Sequence, residues 1–70
     1  MKTDTKPLMD FFVTMNKHNE SVETFSQALT IIGILDNGGD MNKVDMLLRE
    51  MDTSPREYLM EALEASGFQI

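Results

Sequence analysis

Leu47-Leu48-Arg49-Glu50-Met51-Asp52-Thr53-Ser54-Pro55-Arg56-Glu57-Tyr58-Leu59-Met60-Glu61-Ala62-Leu63-Glu64-Ala65-Ser66-Gly67-Phe68-Gln69-Ile70 spells out the end of one helix, a short turn and a complete second helix. Ser54-Pro55-Arg56-Glu57 has the form of a capping box: the Ser54 hydroxyl accepts an amide bond, Glu57 reaches back, and Pro55 forfeits no donor at a first helical position. Leu59, Ala62, Leu63 and Tyr58 are expected to pack inward. Gly67 stops the helix. Phe68-Gln69-Ile70 then alternates like a short strand.

Working back towards the N-terminus, Asp40 or Asn42 starts a helix whose buried stripe is Met41, Val44, Leu47, Leu48 and Met51, with Lys43, Asp45, Arg49 and Glu50 in water. Asn37-Gly38-Gly39 tolerates positive φ and closes the helix before it. That helix spans Val22 to about Asp36, with Val22, Phe25, Ala28, Leu29, Ile32 and Leu35 on its apolar face and Ile31 and Ile34 widening it. Ser21 caps it and Glu23 favours the positive end of its dipole. Leu8, Phe11, Phe12 and Met15 recur at helical spacing up to about Lys17, with Pro7 suited to the first turn. Residues 1–6 read as a flexible tail and residues 7–70 as a single helical domain.

The expected fold class is therefore all-α, with about four helices. In 70 residues there is room for one small core, and without cysteine neither a disulfide nor a thiolate metal site reinforces it. The longest apolar run, Ile31-Ile32-Gly33-Ile34-Leu35, is far below the roughly 20 residues that span a bilayer. Lys2, Asp4 and Lys6 followed by Phe11-Phe12-Val13 do not form a secretory signal, so a cytoplasmic location is expected. Twelve acidic against six basic residues give a formal charge of −6, which repels phosphates and anionic lipid and makes a basic protein surface the easier partner.

A long helix ending in a Gly-rich turn, a short helix Met41–Met51, a Thr-Ser-Pro turn, a second helix Pro55–Ser66 and then Gly-Phe-x-Ile resembles the trihelical core of winged-helix and helix-turn-helix transcription regulators over roughly residues 22–70. The resemblance implies a helix-turn-helix core with a vestigial C-terminal strand, the remaining wing strands being expected to be absent. It also implies that the helix Pro55–Ser66 is the one that reads bases, through Ser54, Arg56, Glu57, Met60, Glu61 and Glu64. The charge of those residues argues otherwise. Phosphate contacts by Lys and Arg carry most non-specific affinity for DNA, yet Arg56 stands against Glu57, Glu61 and Glu64.

Other sites are weaker. Asp36-Asn37-Gly38-Gly39-Asp40-Met41-Asn42 is similar to a calcium loop, but counting from Asp36 puts Met41 at the turn glycine and Leu47 at the bidentate glutamate. His18 has no second His or Cys to complete a zinc set and reads as an exposed connector. Ser21, Ser54 and Ser66 read as caps or helix ends, and Gly38-Gly39 lacks the Lys-Ser/Thr of a phosphate loop, so neither catalysis nor a cofactor is expected. Of seven methionines, Met9, Met15, Met41 and Met51 are assigned to filling and Met60 to an interface.

The function expected from these residues is that of a small acidic protein–protein interaction module, regulatory in character, occupying a basic partner surface through Arg56, Glu57, Met60, Glu61 and Glu64. Phe68 and Ile70 are the candidate strand-pairing or homodimer edge. The alternatives are a dimeric sequence-specific DNA-binding regulator that aligns Lys43, Arg49 and Arg56 of two subunits, and a structural or assembly adaptor.

Overall fold

The computed structural model describes residues 4–68, which form four helices in the order α1 (Lys6–Lys17), α2 (Val22–Asp36), α3 (Met41–Glu50) and α4 (Thr53–Ala65). α1 packs against α4 and α2 against α3. Leu8, Phe11 and Met15 from α1 meet Ala28 and Ile31 from α2, Val44 and Leu48 from α3, and Leu59, Ala62 and Leu63 from α4 in one core, joined by Met51. No helix among the described residues is long and apolar enough to cross a membrane.

Three of the four helices end by the same device. At Asn19, Gly38 and Gly67 the backbone takes positive φ, 56°, 66° and 98° respectively. The next amide then reaches back to a carbonyl in the last turn: Glu20 to Met15 at 3.1 Å, Gly39 to Ile34 at 2.8 Å and Phe68 to Leu63 at 3.0 Å. This paired closure satisfies carbonyls that a helix end leaves open. It is why His18-Asn19-Glu20 breaks the first helix and Asn37-Gly38-Gly39 the second.

The expected extent of α2 and the Ser21 cap are both found: Ser21 Oγ accepts from the Thr24 amide at 3.2 Å. Asp40 caps α3, its Oδ1 accepting from the Asn42 amide at 2.9 Å. α1 begins one residue before Pro7, at Lys6, and the Asp4 amide donates to the Ser66 carbonyl at 3.3 Å, linking the entry of α1 to the exit of α4.

Several expectations are corrected. The α2 face is centred on Thr24, Ala28 and Ile31, while Val22 and Leu29 are 84% and 59% exposed. Both candidate faces satisfy a 3.6-residue period in so apolar a helix, and the position of α3 selects between them. Met9 and Met41 are exposed and fill nothing: Met9 stands about 100° around α1 from Leu8, while Met41, though in line with Val44 and Leu48, is the first residue of α3. No strand occurs among the described residues. Phe68 instead belongs to the closure of α4, its amide committed to Leu63 and its ring half-buried against the core. It therefore offers no open strand edge, and Ile70 lies outside the described residues.

Candidate functional site

α4 does not start at the capping box. Its N-cap is Asp52, with extended backbone (φ −61°, ψ 150°) and no side-chain cap bond, and the first helical turn is Thr53-Ser54-Pro55. The Arg56 amide makes the first helical bond, to the Asp52 carbonyl at 3.0 Å. The first amides of any helix have no partner within it, so Pro55 is as harmless at the third position as at the first. Its ring is buried there. Ser54 and Glu57 are thereby freed from capping and both face outward.

At about 100° per residue, Pro55, Leu59, Ala62 and Leu63 share one side of α4 and are buried. Glu57, Glu61 and Glu64 fall within about 60° of one another on the opposite side, and all three are exposed. None of them forms an ion pair among the described residues; the pairs present there are Lys6 with Asp10 at 3.8 Å and Arg49 with Asp45 at 3.0 Å. Met60 lies beside the ridge at 39% exposure. Arg56 is half-buried at its margin, Nη2 donating to Thr53 Oγ1 at 3.5 Å.

Two shallow grooves lie on the Tyr58 side of this ridge. One, of about 260 Å³, runs between α1 and α4, with Asp10 and Thr14 on one wall and Tyr58, Glu61 and Ala65 on the other. A second, of about 270 Å³, is lined by Ser54, Glu57, Tyr58 and Glu61. Tyr58, expected to pack inward, is 42% exposed and separates the two grooves, its ring edge-on to His18 at 5.6 Å between centroids. The correction follows from the helix wheel: Tyr58 lies midway between the buried and acidic sides, and the neighbouring end of α1 supplies an imidazole rather than an apolar wall.

Asp10 is the residue that local pattern could not assign to this face. It reaches the groove only because α1 lies along α4, a non-local contact. Lys43 and Arg49, by contrast, stand six residues apart on α3 and so about 120° apart around it. Arg49 is moreover engaged by Asp45, and Lys43 and Arg49 do not share one face of α3. Among the described residues no group of three His, Cys, Asp or Glu side chains is placed to hold a metal ion.

The chain matches no known family model, and neither a curated protein nor a solved structure is significantly similar to it.

Proposed function

We propose that this protein is a small regulatory interaction module that covers a basic surface of a partner protein with the outward side of α4. The observation that carries the proposal is the row of carboxylates Glu57, Glu61 and Glu64, unpaired among the described residues and directed away from the core, with Asp10 across the groove. Tyr58 adds an exposed aromatic ring between carboxylates, a setting that suits an arginine or lysine side chain through its charge and the ring face together. In this reading α3, the Met51-Asp52 connection and α4 act as a helix-turn-helix-like unit turned to protein docking, with glutamates where a DNA reader carries cations.

The test is fluorescence polarisation with a labelled oligo-arginine peptide and, in parallel, a random-sequence DNA duplex, each at low and physiological salt. Peptide binding that weakens with salt, and about tenfold more with Glu61→Lys plus Glu64→Lys, supports the proposal. Peptide binding indifferent to both changes, or tight duplex binding at physiological salt, refutes it.

A further inference from the structure

The groove between α1 and α4 is built from two matched stripes. On α1, Pro7, Asp10, Phe11 and Thr14 stand at steps of three, one and three residues; on α4, Tyr58, Glu61, Ala62 and Ala65 repeat that spacing. The spacing keeps each set on one side of its helix over about 10 Å. Each stripe carries one carboxylate at the same step, Asp10 on one wall and Glu61 on the other, and both are exposed. Phe11 and Ala62, one step further along each stripe, are buried. The groove stays open because α4 lines it with two alanines, where longer side chains would fill it.

This lining selects its occupant. The volume, about 260 Å³, is below the roughly 300–1,000 Å³ of clefts that enclose small molecules, so the groove takes a side chain delivered by a larger partner. Apolar surface between two carboxylates suits an amphipathic cation, its aliphatic stem on Phe11, Ala62 and Ala65 and its charged end at Asp10 and Glu61. A guanidinium, unlike an ammonium, can lie flat on the Tyr58 ring while its edge donates to carboxylates on both sides. Glu61 has no ion pair among the described residues. Asp10 meets Lys6 at 3.8 Å with both side chains largely exposed, a pair too weak to exclude an incoming guanidinium.

We infer that this groove is a socket for a single arginine side chain of the partner protein. The inference rests on the reading of α4 as a docking surface for a basic partner and deepens it. The ridge of Glu57, Glu61 and Glu64 attracts positive charge of any kind, whereas the groove distinguishes arginine from lysine and from any cation without a stem.

The test is a two-dimensional NMR titration of the isotope-labelled chain with N-acetyl-arginine amide, and with the lysine and citrulline amides at matched ionic strength. Arginine amide shifts the resonances of Thr14, Ala62 and Ala65 in a saturable manner; lysine amide binds at least about threefold more weakly, and citrulline amide, which keeps the stem and lacks the charge, shifts none of them. Asp10→Asn weakens arginine amide about threefold. Ala65→Leu and, from the opposite wall, Thr14→Leu fill the groove while keeping every charge, and each weakens it about tenfold or more, with far-UV circular dichroism confirming helicity. Glu64→Gln, outside the groove, leaves the titration unchanged. Equal shifts from arginine and lysine amides, no saturable shift at these three residues, or full binding by both groove-filling variants would each overturn the inference. Oligo-arginine binding with no groove shifts from arginine amide would sink the socket and leave the ridge standing, whereas groove shifts without salt-dependent peptide binding would do the reverse.

Discussion

Ser21 and Ser54 are the two serines whose surroundings look alike in sequence and differ in the fold, and replacing each by alanine separates the consequences. Ser21 Oγ accepts from the Thr24 amide at 3.2 Å and lies 3.2 Å from Thr24 Oγ1. Thr24 is 6% exposed. Ser21→Ala removes a helix cap worth about 1 kcal/mol and deprives a buried hydroxyl of a partner, so the expected loss is about 1–2 kcal/mol. For a 60–100-residue domain, each kcal/mol lowers Tm by about 4–8 °C. Ser54 stands inside the first turn of α4, is exposed, and makes no cap bond. Ser54→Ala changes stability by less than about 0.5 kcal/mol, the range of neutral surface substitutions. Urea unfolding followed at 222 nm, with m-values checked for constancy, measures both differences. A loss at Ser54 equal to or larger than that at Ser21 would mean that α4 starts at the capping box after all, and would refute the assignment of Asp52 as its N-cap.

Two further stability changes are expected. Leu59 is fully buried, and Leu59→Ala costs about 2–5 kcal/mol. Against a total of roughly 3–10 kcal/mol for a chain of this length, it leaves a substantial unfolded fraction in calorimetry or urea titration. Gly33 and Gly38 respond to alanine with opposite signs. A Cβ at Gly33 meets nothing within 4 Å inside α2, so Gly33→Ala stabilises by about 0.5–1 kcal/mol. Gly38 holds φ of +66°, and Gly38→Ala destabilises by about 1–2 kcal/mol in the same urea assay.

What was legible in the sequence was local. The helix stops at Gly38 and Gly67, the Ser21 cap and the stripe Leu8, Phe11, Met15 each depend on residues within one or two turns, and each is in its expected place. Three things were not local. The choice between the Leu29 side and the Ile31 side of α2 is made by where α3 packs. The start of α4 at Thr53 rather than after Ser54 reflects two adjacent solutions of similar local merit, since Asp52 is as good a cap residue as Ser54. Phe68 alternates with its neighbours as a strand residue does, yet a ring two positions past the cap also serves a helix closure, and the core available to it decides the matter. The acidic row of α4 was readable from spacing alone, whereas Asp10 and the exposure of Tyr58 required the packing of α1 on α4.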